Sequence, residues 1–127
     1  MQAFTLVALG GAIGASARYG TSLAVGHLWR TSFPFATLLV NVTGSLAMGL
    51  LIGWLTRTLP AWQNEARLFV AVGVLGGFTT FSAFSLDVVT LFERGEVLSA
   101  FLYILGSVVL SVAALFVGLL LMRALPA

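Results

Sequence analysis

GGFTTFSAF, residues 76–84, decides how this sequence is read. It sits inside an otherwise apolar run, and two adjacent glycines there each weaken a helix by about 1 kcal/mol relative to alanine. Hydroxyls at Thr79, Thr80 and Ser82 can then cap a restarted helix, so the stretch predicts a helix broken near mid-membrane. Backbone broken at that depth persists only where protein or a cavity satisfies it. Freed carbonyls are hard oxygen ligands, which suggests a cation site built from backbone rather than from carboxylates. Phe81 and Phe84, three apart, are expected on one face of the second half-helix. The positive edges of two such rings can flank a small anion that has shed its water. The competing reading of the pair is ordinary packing within a bundle.

The case for a membrane comes from composition. The chain has 127 residues, 60% of them hydrophobic and 8% charged, and a water-soluble domain of that size cannot bury so much apolar surface. A helix crosses the hydrocarbon in roughly 20 residues. Apolar runs over roughly 3–26, 33–56, 66–92 and 97–122, divided by charged or turn-rich segments, predict four transmembrane helices in a single all-α domain, 1–127. Trp29, Trp54, Trp62 and Tyr19 fall near the predicted ends, where amphipathic rings favour the headgroup zone. With no cysteine, disulfides, thiolate nucleophiles and cysteine-ligated metals are excluded. MQAFTLVALGG has no basic run before its apolar stretch, so it is read as a first crossing and not as a cleaved leader. A net charge of +2 is too small and too dispersed for nucleic acid. No base, nucleophile or metal set converges, so no enzymatic activity is expected.

All six basic residues are arginine. On the predicted topology Arg57, Arg67 and Arg123 lie on one side, and Arg18, Arg30 and Arg94 on the other, so no orientation is favoured. Such a chain can insert both ways and pair with an opposed copy; dominance by one arginine, or a place for Arg18 inside the first helix, is the alternative. Four helices leave little room for a private aqueous path, so a transporter of this size should be an oligomer. Gly10 and Gly14, and Gly49 and Gly53, form GxxxG pairs that indicate close helix contact, within a chain or between chains.

An ionisable group inside a membrane is a functional suspect. Here Arg18 and Asp87 are the suspects; Arg18 can snorkel outward and Asp87 can be a hydrated helix-end carboxylate. No acid falls at the centre of a span. This argues against a small-multidrug-type coupled exporter, which needs an embedded glutamate, and against an acid-ringed cation pore. The membrane centre holds neutral donors instead. Thr37, Asn41 and Ser45 are spaced by four on the second helix, and Tyr103, Ser107 and Ser111 by four on the fourth, each trio forming a stripe. The stripes can line a narrow path, or their hydroxyls can simply bond the carbonyl four residues back. A noncatalytic membrane scaffold is the remaining alternative, to which the glycine motifs alone would point. Break, phenylalanines, Asn41 and missing acids jointly favour anion passage.

GGFTTFSAF with a following acid, LLVNVTGS in the second helix, GGAIGASARY in the first and the ERG loop together resemble the Fluc (CrcB) fluoride channels along all four helices. The resemblance implies a fluoride-selective channel of the cell inner membrane. It would export cytoplasmic fluoride passively through two pores at the interface of an antiparallel, dual-topology homodimer, with a structural sodium ion at its centre. It assigns the sodium to the backbone carbonyls of Gly76 and Thr79, the phenylalanine pair to Phe81 and Phe84, and the pore amide to Asn41. Tyr103, Ser107 and Ser111 become polar pore positions, with Thr37 and Ser82 adjoining, and Arg18 marks a vestibule. Two departures stand out: the family commonly reads FSTFS followed by a glutamate, where this chain has Ala83 and Asp87.

Overall fold

The computed structural model describes residues 1–126. Among them every regular element is helical. Three long rods are α1 (Gln2–Leu28), α2 (Phe35–Thr58) and α6 (Val97–Ala124). A fourth rod, third in chain order, is built from pieces. A single turn, α3 (Gln63–Ala66), leads into a π-helical segment, Arg67–Leu75, and a short α4 (Gly76–Phe78); helix resumes as α5 (Ser82–Glu93). Thr79 is extended, with φ −84° and ψ 159°, so the regular ladder lapses between Phe78 and Ser82.

Length and composition allow Phe35–Thr58, Gln63–Glu93 and Val97–Ala124 to cross a membrane. Sequence reading counted four crossings, and α1 is not in this set. It is long enough, at 27 residues, but Gly10, Gly11, Gly14, Ser16 and Arg18 dilute its hydropathy. Those small residues are where α1 meets the third rod. A Cβ on Gly10 would strike the Phe69 carbonyl and lie 2.9 Å from Gly73 Cα, and one on Gly14 would strike the Val74 carbonyl. One on Gly77 would lie 2.7 Å from the Gly11 carbonyl. The two rods run in register and parallel, with backbones close enough for dispersion to act between main chains.

The same device joins α2 to α6. Gly49 seats against the Leu115 carbonyl and Gly118, and Gly53 against Met122. Both sequences ascend together, so α2 and α6 are also parallel. Arg57 at the end of α2 donates from Nη1 to the Met122 carbonyl at 2.7 Å, placing a cation on the negative end of the neighbouring helix. Both GxxxG pairs are therefore contacts within the chain.

The ERGE loop closes α5 onto α6 through a Schellman-type cap. Gly95 takes φ +77°, and the Glu96 N–H reaches back to the Leu91 carbonyl at 2.9 Å. This turn folds α5 antiparallel against α6 and creates the tightest core, where Phe84, Leu91, Ala100 and Tyr103 are buried together. Elsewhere the long helices present Leu, Val and Phe outward along their lengths. That is the pattern of a bundle whose surroundings are apolar.

Candidate functional site

The lapse in the third rod is held from outside by side chains. Asn41 on α2 spends its amide on the backbone of one residue: Oδ1 accepts from the Thr80 N–H at 2.8 Å, and Nδ2 donates to the Thr80 carbonyl at 2.9 Å. From α1, Arg18 Nε donates to the Gly77 carbonyl at 3.1 Å. Within the lapse the Thr80 hydroxyl accepts from the Ala83 N–H at 3.2 Å, starting α5 as a side-chain cap. Gly44, one turn beyond Asn41, receives the Thr79 methyl group where its own side chain would be.

These bonds redirect the ladder. In a continuous helix the Gly76 carbonyl would accept from the Thr80 N–H and the Thr79 carbonyl from the Ala83 N–H. Both donors are engaged elsewhere. The Gly76 and Thr79 carbonyl oxygens are therefore without their helical donors, as is that of Phe78, and no set of three or more His, Cys, Asp or Glu able to hold a metal occurs among the described residues. Such donors suit a hard monovalent cation and not a transition metal.

Beside the lapse lies a cavity of about 530 Å³ between α2, the third rod and α6. Asn41, Ser45, Phe81, Phe84, Ser107 and Ser111 line it, together with backbone at Gly76, Thr79 and Thr80 and an apolar end at Met48 and Leu115. No ionisable side chain is in this wall. The Ser107 and Ser111 hydroxyls are buried and have no hydrogen-bond partner. Other helical hydroxyls behave differently: Thr43, Thr56, Thr58, Ser85 and Thr90 each donate to the carbonyl four residues back, at 2.6 to 3.0 Å. Only hydroxyls turned away from the cavity use up their donor this way in α2 and α5. The wall thus offers free O–H donors, positively polarised ring edges and no fixed charge, an arrangement that can hydrogen-bond an anion without trapping it.

The aromatic pair is asymmetric. Sequence reading put both rings on one face of the second half-helix, but Phe81 precedes α5 and is 77% exposed, while Phe84 is 8% exposed. Their centroids are nonetheless 5.5 Å apart. Phe84 continues to Tyr103 at 5.1 Å, and Tyr103 meets the edge of Phe33 at 5.6 Å.

Not every expected residue reaches the cavity. Tyr103 is fully buried, and its hydroxyl donates to Asp87 Oδ2 at 2.9 Å. Asp87 is thereby tied to α6, where the sequence allowed a free helix-end carboxylate. It opens instead on a second, polar hollow of about 260 Å³ shared with Thr31, Ser32, Thr90 and Arg94. Thr37 is outside the cavity wall, one turn before Asn41. Ser82 is exposed, its hydroxyl 3.4 Å from that of Thr80. Arg18, which the resemblance assigns to a vestibule, bonds the interrupted rod at the Gly77 carbonyl. Gly44 was missed, and could have been found by following the Asn41 face one turn on; Thr80 was expected as a hydroxyl cap, which it is, but the bonding of its backbone by Asn41 carries no sequence signal.

Comparison with known proteins bears on this geometry. Residues 5–119 match the family described as CrcB-like protein, Camphor Resistance (CrcB). A fluoride-specific ion channel of Hyphomonas neptunium is 59% identical over 124 residues, covering 97% of both chains. One of Chelativorans sp. is 55% identical over 125 residues, covering 98% of this chain and 99% of its own. One of Mesorhizobium japonicum is 52% identical over 121 residues, covering 95% and 96%.

Proposed function

The chain belongs to the CrcB family, and on that premise we propose that it is a fluoride-selective ion channel that exports cytoplasmic fluoride across the cell inner membrane. The observation that carries the reading is the uncharged cavity wall with the unpartnered hydroxyls of Ser107 and Ser111. A small, strongly hydrated anion gives up water only where donors replace it. These hydroxyls are free to do so, because neither is used by the helix. Ring edges at Phe81 and Phe84 add favourable potential without a proton to titrate. A larger anion sheds less hydration and gains less from a narrow, donor-lined path, which favours fluoride over chloride.

Export needs no coupled energy source. A negative-inside potential drives a monovalent anion outward with about 2.3 kcal/mol per 100 mV. Ion passage is not catalysis, and no enzymatic step is assigned to the chain.

The working unit is an antiparallel homodimer of oppositely inserted copies, with one path beside each subunit's lapse and α1 counted as its fourth crossing. The arginines are near balance, three against two with Arg18 drawn to the lapse, and they support this arrangement, as does Phe81, whose ring is 77% exposed in a single chain beside the cavity. The carbonyls of Gly76 and Thr79 from two copies would give four neutral oxygens to a central sodium ion. When bound, that ion supplies a fixed positive charge that draws two lapses together. Asn41 holds the Thr80 peptide in place, and Thr37 and Ser82 border the path. Tyr103 fixes Asp87 at the polar hollow, which serves as a mouth.

Efflux from liposomes carrying the purified protein tests the reading, with potassium gradients and valinomycin setting the voltage and separate electrodes for fluoride and chloride. Rapid fluoride release without chloride release is expected. Release of both would remove the selectivity. Release of neither from a folded protein would remove the channel and leave a membrane scaffold.

A further inference from the structure

We propose that Arg18 is a positioning residue for the interrupted rod, setting with Asn41 which backbone carbonyls are left to face a cation; this rests on the cation site proposed above. Between Gly76 and Thr80 two carbonyls are clamped from neighbouring helices, those of Gly77 and Thr80, and those of Gly76, Phe78 and Thr79 are without a helical donor. Arg18 Nε takes the Gly77 oxygen at 3.1 Å, and Asn41 Nδ2 takes the Thr80 oxygen at 2.9 Å. The oxygens of Gly76 and Thr79, the residues just before each clamp, lose their helical donors to Asn41 and to the Thr80 hydroxyl. The clamps come from different rods, α1 and α2, so the geometry of the lapse is fixed by its neighbours as well as by its own Thr80 hydroxyl.

The chemistry asks for arginine in particular. The donor is Nε, the inner nitrogen of a planar group, which has no counterpart in lysine. The positive charge also sits at the C-terminal end of the helical run Gln63–Phe78, where the helix dipole favours a cation. Close approach of α1, with Gly14 against Val74 and Gly77 against Gly11, brings the guanidinium within reach. A role in drawing anions to a mouth would need only the charge; a clamp needs the Nε donor and its geometry.

Arg18→Lys separates the two, because it keeps the charge but has no donor at the Nε position, and Arg18→Met, which has neither donor nor charge, is its companion. Two readouts are taken on the full-length protein in lipid nanodiscs: amide hydrogen exchange over residues 76–84, and the sodium concentration giving half-maximal thermal stabilisation, with N-methylglucamine as the replacement cation. If Arg18 is a clamp, both variants accelerate exchange in this stretch about tenfold or more, the scale of one hydrogen bond to a charged group. Exchange in α6 stays unchanged. The sodium half-point rises by a similar factor. Wild-type exchange in Arg18→Lys would overturn the proposal, and so would wild-type exchange in Arg18→Met accompanied by a fall in fluoride efflux that salt abolishes. Arg18→Lys decides the matter alone if Arg18→Met fails to fold. A wild-type protein whose stability ignores sodium would remove the cation site but leave the exchange measurement able to sustain or sink the clamp.

Discussion

A hydroxyl in a membrane helix has two uses, and which one it serves is visible atom by atom. Thr43 donates to the Leu39 carbonyl at 2.6 Å and has no donor to spare. Ser107 and Ser111 donate to nothing in the chain. Alanine at either serine therefore removes no internal bond, and replacing an unsatisfied polar group is neutral or mildly stabilising for the fold. For the proposed ion path each loses a hydrogen bond to a charged ligand, worth about 1.5–3 kcal/mol. Ser107→Ala is accordingly expected to keep the thermal midpoint of the wild type while cutting fluoride efflux about tenfold. Thr43→Val should leave efflux unchanged, and equal losses in the two variants would deny Ser107 its place in the path. Asn41→Asp is expected to abolish efflux, since a carboxylate can accept from the Thr80 N–H but repels its carbonyl and puts a negative charge in the wall. Phe81→Ile should strongly reduce efflux while leaving dimerisation intact on native mass spectrometry, because the aliphatic chain keeps apolar area but has no positive edge.

Among elements, glycine marks two seams and the lapse marks a third. At Gly10 an added methyl group meets the Phe69 carbonyl, and at Gly20 it meets nothing within 4 Å. Backbone cannot yield as a side-chain tip can, so Gly10→Ala should cost about 1–3 kcal/mol of stability by overpacking. Gly20→Ala should be neutral or slightly stabilising, through reduced freedom of the unfolded chain. Thermal unfolding in detergent compares the pair, and a Gly10→Ala protein as stable as Gly20→Ala would mean α1 does not pack against the third rod in this way. The sequence located both seams through GxxxG spacing, because small residues at helical spacing have few other uses. It could not say which rods each seam joins. That pairing depends on the parallel register of α1 with the third rod and of α2 with α6, which no local pattern encodes.

For the whole molecule, the outward-facing leucine, valine and phenylalanine of a single chain need lipid or a second copy against them. The proposed antiparallel dimer requires that both orientations coexist in one membrane. A chain without cysteine gives a clean background for testing this. Thr31→Cys, in the loop between α1 and α2, should be labelled by a membrane-impermeant maleimide in about half of the molecules in intact cells, and in nearly all once the membrane is permeabilised; this follows from the near balance of arginines on the two sides once Arg18 is drawn to the lapse. Labelling near 0% or 100% in intact cells would fix one orientation and rule out the antiparallel pair.

What the sequence determined by itself rests on local and compositional physics. Apolar runs need lipid, glycine pairs and hydroxyls weaken a helix, residues four apart share a face, and acids absent from the chain's apolar centre are absent from any fold it adopts. Asn41, Ser107 and Ser111 were legible on those grounds, being polar groups at helical spacing in apolar runs. The tertiary structure alone decided how those groups are spent. Asn41 bonds a peptide 39 residues away, Arg18 one 59 residues away, and Tyr103 turns its hydroxyl to Asp87 and out of the cavity. A hydrogen bond depends on distances of a few tenths of an ångström between rods, and those distances are set by backbone contact at Gly10, Gly14, Gly49 and Gly118, which exists only after the rods have packed.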